Sequence, residues 1–165
     1  MFAGALLAIL PVLGLASATV IPRQGSVYPF GHLHPTSDIG GLCVAASELA
    51  IGASIGLVEC HASTDPLSAL ELWNITNSAA HGPERIALQA RPQLCIAGNP
   101  RTEIGNTLYI EECGGVNDGQ YQLISYSQAG FLSFQNANCI HRKSDTELDI
   151  QTCYTMANDL KFVPS

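Results

Sequence analysis

Charge is what this 165-residue chain has least of. Only 13% of its residues are Asp, Glu, Lys or Arg, and seven basic residues stand against 14 acidic ones, for a net charge of −7. A nucleic-acid partner needs a basic face to meet its phosphates, and an anionic membrane surface needs the same, so both are excluded as expectations. Aromatics are few, with one Trp. No two cysteines stand at C-x-x-C spacing, which removes the usual zinc reading. After residue 16 no apolar run is long enough to span a bilayer, so no membrane insertion is expected.

The apolar run that does exist is N-terminal. Phe2 through Ala16 carry no charge, Pro11 interrupts them, and Ala16-Ser17-Ala18 follows. A short apolar core ending in a small-x-small tripeptide reads as a signal peptide over 1–18, with cleavage after Ala18. A linker over 19–27 and one domain over 28–165 then follow, and the mature protein is expected to be secreted. About 147 residues suffice for a domain that buries roughly two-thirds of its unfolded surface. Six cysteines in a secreted chain imply three disulfides, with 15 conceivable connectivities.

The chain repeats itself three times. Gly52 to Cys60, Gly105 to Cys113 and Asp145 to Cys153 align without gaps. Five residues before each cysteine stands an aliphatic (Ile55, Leu108, Leu148), and three before it another (Leu57, Ile110, Ile150). A spacing of two is the period of a strand with one buried face. Each of these cysteines has an earlier counterpart in a short strand, at Leu42-Cys43-Val44, Leu94-Cys95-Ile96 and Asn138-Cys139-Ile140. An apolar-x-apolar strand closes each repeat: Trp73-Asn74-Ile75, Tyr121-Gln122-Leu123 and Leu160-Lys161-Phe162. About four strands per repeat make twelve in all. The simplest disulfide pairing stays within repeats, as Cys43–Cys60, Cys95–Cys113 and Cys139–Cys153, and it leaves no thiol for catalysis.

These repeats resemble the ricin-B-type β-trefoil lectins over residues 28 to 163. Gly41-Leu42-Cys43-Val44 and Gly105…Cys113 carry the resemblance, and a Gln-x-Trp motif survives in altered form as Glu71-Leu72-Trp73, Gly119-Gln120-Tyr121 and Asn158-Asp159-Leu160. The resemblance implies an all-β fold, a β-trefoil of three four-stranded repeats with one disulfide each, and glycans or glycoproteins as partners. In that family an aspartate two residues after the first cysteine grips sugar hydroxyls, and an aromatic two before the second stacks on the ring. Ala45, Ala97 and His141 fill the first position here, and Val58, Glu111 and Gln151 the second. A methyl group accepts no hydrogen bond, so the first two repeats lack the family's main contact. The third is the most polar, and its expected carbohydrate-binding residues are His141, Asp149, Gln151 and Asn158, with Tyr154 as the nearest ring.

Other patterns yield to simpler explanations. Gly52-Ala53-Ser54-Ile55-Gly56 matches a nucleophile elbow, but it occupies the repeat position of Gly105 to Tyr109 and lacks the strand-turn-helix setting. Asp145, Glu147 and Asp149 alternate, so all three are expected on one solvated face, where they could hold calcium or sugar hydroxyls. His32-x-His34 has metal-like spacing but no identifiable third ligand, so no metal or other cofactor is expected. Asn74-Ile75-Thr76 is an N-glycosylation sequon. No nucleophile–base set emerges, which points away from an enzyme. The competing function is a protein-binding trefoil, such as a secreted protease inhibitor or effector. Its loop would lie within residues 61–85, where the first repeat spends the most residues between its second cysteine and its closing strand.

Overall fold

A computed structural model describes residues 30–75, 81–98, 102–154 and 158–165. The expected signal peptide and linker lie outside these residues, as does Thr76 of the sequon. Among the described residues there is no α-helix, only eleven strands and three short 3-10 segments. The strands are β1 (Leu33–Pro35), β2 (Leu42–Ala46), β3 (Ser54–Glu59), β4 (His81–Arg85), β5 (Leu94–Gly98), β6 (Leu108–Glu112), β7 (Leu123–Tyr126), β8 (Leu132–Phe134), β9 (Asn138–Arg142), β10 (Leu148–Thr152) and β11 (Phe162–Pro164). Twelve were expected. The missing one is the closing strand of the first repeat, where pairing shrinks to single bridges from Trp73 to Gly31 and to Leu88.

Each repeat contributes one hairpin held by its own disulfide. β2 pairs with β3, β5 with β6 and β9 with β10, all antiparallel. Within them Cys43–Cys60, Cys95–Cys113 and Cys139–Cys153 are bonded, at sequence separations of 17, 18 and 14, as the repeat alignment requires. Beneath them β4 pairs with β7 and β7 with β8, single bridges at Phe131–Lys161, Gly31–Trp73 and Trp73–Leu88 link the remaining segments, and the last strand β11 returns to pair with β1.

The three hairpins are joined in a ring by equivalent hydrogen bonds. Ile110 N–H donates to Ala53 O (2.8 Å), Ile150 N–H to Asn106 O (2.9 Å) and Leu57 N–H to Thr146 O (3.1 Å). Each bond runs from one repeat's strand to another repeat's turn, so the chain closes a pseudo-threefold cap. The cap is closely packed at Gly56, where an added Cβ would sit 2.6 Å from Thr146 O. The turns of the first two hairpins use Gly52 and Gly105 at φ of 88° and 83°, a left-handed geometry that glycine adopts without strain. Asp145 stands there in the third and is not left-handed; that hairpin is shorter and turns differently.

Side chains of period two fill the core. Leu57, Ile110 and Ile150 are buried, as are Ile55, Leu108 and Leu148. Trp73 is fully buried, and its indole N–H donates to Val44 O at 2.8 Å. Two expectations need correction. In the second repeat the buried closing residues are Ile124 and Tyr126, whereas Tyr121 and Leu123 are only half-buried. The altered Gln-x-Trp motif is therefore Gln122-Leu123-Ile124, not Gly119-Gln120-Tyr121. Gln122 proves it by its bonds: its Oε1 accepts Gly114 N–H, just after Cys113, as Glu71 accepts His61 N–H just after Cys60. With Ile124 as the anchor, the first repeat's connection exceeds the second's by only two residues, 13 from Cys60 to Trp73 against 11 from Cys113 to Ile124.

The second correction concerns the acidic strand. Asp145 and Glu147 are exposed, but Asp149 is only 6% exposed because His141 and Gln151 cover it. Asp145 pairs with Arg142 at 2.7 Å and Glu147 with Lys143 at 3.0 Å. The three carboxylates thus do not form one free face, and the calcium reading has no donor set.

Candidate functional site

The β9–β10 hairpin brings the third repeat's polar residues together by register. His141 faces Asp149 across the pair, and Cys139 faces Gln151. His141 Nδ1 lies 2.6 Å from Asp149 Oδ1, and Gln151 Nε2 donates to Asp149 Oδ2 at 3.0 Å. Both carboxylate oxygens are therefore occupied from within the chain. With Nδ1–H donating to Asp149, His141 Nε2 lies 3.4 Å from Asp159 Oδ2. The Asp159 carboxyl is held below the ordinary carboxylate range, first by its own backbone N–H and then by His141.

An open pocket of about 230 Å³ lies here, lined by His141, Gln151, Tyr154, Asp159 and Leu160. Three of the five expected residues line it directly, and Asp149 stands behind His141 and fixes its ring. Tyr154 is 64% exposed and offers the pocket's one aromatic face. Asn158 does not line it; its Oδ1 accepts from Lys161 Nζ at 3.4 Å. Asp159, not Asn158, lines the pocket. Its signal was its place as the middle residue of Asn158-Asp159-Leu160, which turns outward when Leu160 is buried. The arrangement supplies an imidazole nitrogen, a carboxylate and an amide around a ring face, which is chemistry for binding polyols.

Among the described residues, the other two repeats have no ionisable pair at this cross-strand position. Ala45 and Ala97 are buried, facing Gly56 and Tyr109 across their hairpins. The Tyr109 hydroxyl donates to Glu111 Oε2 at 2.9 Å, and desolvation, followed by that carboxylate, pushes the phenol up to about 12.

A second cluster of histidines surrounds the first disulfide. His34 uses both ring nitrogens, on Leu42 O (3.0 Å) and Ser165 Oγ (2.6 Å), and Cys43 is oxidised. Two of the three members of the His32, His34 and Cys43 grouping are therefore already engaged, while the buried His32 Nε2 has no hydrogen-bond partner among the described residues. Glu71, only 1% exposed, binds His61 through both N–H and Nδ1, with His32 Nε2 at 3.5 Å from its Oε2. Asn74 uses its side chain as backbone would, accepting Ala87 N–H at 2.6 Å and donating to Arg85 O at 3.3 Å. In the 61–85 segment, Asp65 caps the 3-10 helix Pro66–Leu70, accepting Leu67 N–H at 2.8 Å.

No protein-family model matches the sequence, and no characterised protein matches it at the sequence level. Solved structures match the fold. Agglutinin from Abrus precatorius superposes with a TM-score of 0.60 at 14% identity, covering 84% of this chain and 48% of its own. A non-toxic homologue of type II ribosome-inactivating proteins from Momordica charantia, in complex with α-methyl-D-galactoside, gives 0.60 at 11%, covering 84% and 49%. The β-trefoil lectin of the Vibrio vulnificus hemolysin, with N-acetyl-D-lactosamine bound, gives 0.60 at 19%, covering 83% and 93%. The chain thus spans about half the length of the two plant proteins and nearly all of the bacterial lectin. What is shared at these identities is the architecture, and the chain folds as a β-trefoil of the kind found in those lectins.

Proposed function

We propose that this chain is a secreted carbohydrate-binding module without catalytic activity, and that its sugar site is the third-repeat pocket. The carrying observation is the single pocket that gathers His141, Gln151 and Asp159 around the exposed ring of Tyr154. His141 Nε2, Gln151 and Asp159 offer bonds to hydroxyls, while Tyr154 offers a face for the sugar's C–H surface. Asp149 acts through His141, holding its ring by the 2.6 Å bond. Sugar-bound structures of the Vibrio and Momordica β-trefoils support this class of ligand. Three disulfides support an oxidising compartment.

Glycan-array screening of the disulfide-intact protein, followed by calorimetry on the best ligand, tests the proposal. Asp159→Ala should weaken binding by about 1.5–3 kcal/mol, the worth of a charge-assisted hydrogen bond. Binding indifferent to His141→Ala, Asp149→Ala and Asp159→Ala would place the sugar elsewhere. A second reading, protein docking on residues 61–85, has one observation in its favour: Leu67 is 51% exposed on a loop already ordered by the Asp65 cap. A protease-inhibition panel comparing wild type with Leu67→Ser tests it; unchanged behaviour on every protease removes it.

A further inference from the structure

The three hairpins meet around a depression on the pseudo-threefold axis, lined by none of the residues that line the third-repeat pocket. Its lining follows the repeat. The floor is Ile55, Leu108 and Leu148, one from each hairpin, and the rim is Ser54, Thr107 and Glu147, the residue before each. The volume is about 260 Å³, a space fit for one small ring rather than a chain.

Three features define what could fill it. First, the floor is aliphatic, and its residues are buried to within 4%. Only their edges reach the opening, so a ligand must present a C–H surface to them. Second, the Ser54 and Thr107 hydroxyls have no hydrogen-bond partner among the described residues, although each can donate and accept. Third, Glu147 is paired with Lys143 at 3.0 Å, and Lys143 also lines the depression. The pair leaves the rim locally neutral, yet supplies an ammonium donor and a carboxylate acceptor. An anion would meet Glu147 and a cation would meet Lys143, so neither is favoured. The ring of backbone bonds from Leu57, Ile110 and Ile150 to the neighbouring turns fixes the rim in place before any ligand arrives.

We propose that this axial depression is a second binding site, for a single neutral hexose ring. One face of the ring rests on Ile55, Leu108 and Leu148. Its hydroxyls bond to Ser54, Thr107 and the Lys143–Glu147 pair. The site draws its parts from all three repeats, so it exists only in the closed trefoil and stands independently of the third-repeat pocket.

The test is an amide-resolved NMR titration of the ¹⁵N-labelled, disulfide-intact protein. D-glucose, D-galactose, D-mannose and N-acetylglucosamine are each taken to about 100 mM, a range suited to weak single-ring binding. At least one sugar should produce saturable shifts at Ser54, Gly56, Thr107 and Thr146, with intermolecular NOEs to the floor methyls. Ser54→Ala and Thr107→Val should each weaken that binding about two- to tenfold, the worth of one neutral hydrogen bond. His141→Ala should leave it unchanged. Cap amides that stay still with all four sugars overturn the axial site, as do cap shifts without NOEs to the floor. Shifts confined to His141, Gln151 and Tyr154 overturn it while supporting the third-repeat pocket. Cap shifts without any at His141 do the reverse.

Discussion

Glu71 is the most deeply buried carboxylate described, and the second repeat shows what could replace it. Gln122 occupies the same place, accepting Gly114 N–H and donating to Glu112 O, both at 2.8 Å. Glu71→Gln should therefore keep the bond to His61 N–H, now 3.0 Å long, and lose only its charge assistance. At pH 8 it should cost no more than about 1 kcal/mol. Glu71→Ala loses both bonds to His61 and a buried methylene, for about 2.5–4 kcal/mol. The pH dependence separates the two histidines beside it. His61 is raised above 6.5, chiefly by its hydrogen bond to Glu71, with Asp65 and Glu59 adding to it. Its contribution is full below pH 6.5 and is lost as pH rises through the raised value. His32 is lowered below 6.5, chiefly by burial, with His34 adding and Glu71 opposing. Its contribution is full above 6.5 and is lost as pH falls toward the lowered value. In wild type the two oppose each other. Glu71→Gln removes the cause of the first and the opposition to the second, so the variant should lose stability relative to wild type between pH 7 and 5. Urea unfolding with disulfides intact, at pH 5, 7 and 8 and with m unchanged, measures all of this. A Gln variant as unstable as the Ala variant at pH 8, or one with the wild-type pH profile, would refute the reasoning.

Two further outcomes follow from the core and from the second hairpin. Leu57→Ala, Ile110→Ala and Ile150→Ala should each cost about 2–5 kcal/mol in the same urea assay, since all three are at most 3% exposed; a value near zero at any of them would mean that strand's faces are assigned backwards. In a spectrophotometric titration Tyr109 should ionise near 12, and Glu111→Gln should bring it down without restoring it fully, because desolvation is the larger cause; no change on that substitution would break the Tyr109–Glu111 assignment.

What could be read from the sequence was whatever depends on local spacing. The hairpins and their disulfides show because a strand's period and the distance to a cysteine are set within 20 residues or so. The second repeat's closing strand was misplaced because its anchor is Ile124, not an aromatic, while Tyr121 offers an aromatic three residues earlier. The 3-10 segment Val116–Gln122 takes up those residues, and no periodicity announces it. Asp149 looked exposed because alternation tells which face a residue leaves by, not what covers it there. The covering groups are His141, from the neighbouring strand, and Gln151, two residues on. The axial depression lies furthest from what spacing can show, because its rim joins residues 54, 107 and 147.

The threefold repeat also offers an internal control for the third-repeat site. Positions whose burial the fold demands keep one chemical type in all repeats, as Leu57, Ile110 and Ile150 do. The cross-strand pair above them does not: it is Ala45 with Gly56, Ala97 with Tyr109, and His141 with Asp149. The trefoil therefore closes twice without a buried ionisable pair, and the third repeat's His–Asp pair is not required by architecture. His141→Ala alone should cost about 1–3 kcal/mol, because it strips a partner from a carboxylate that is 6% exposed. Replacing both, as His141→Ala with Asp149→Gly, copies the first repeat and removes the unpaired charge along with its partner. The double variant should then be less destabilised than the sum of the single ones, with a coupling of about 0.5–3 kcal/mol in a double-mutant cycle. It should also lose glycan binding at the third-repeat pocket while keeping the fold and the ring of cap hydrogen bonds. Additive costs would mean that the 2.6 Å contact contributes no coupling. Full glycan binding in the double variant would mean the pair does not serve the site.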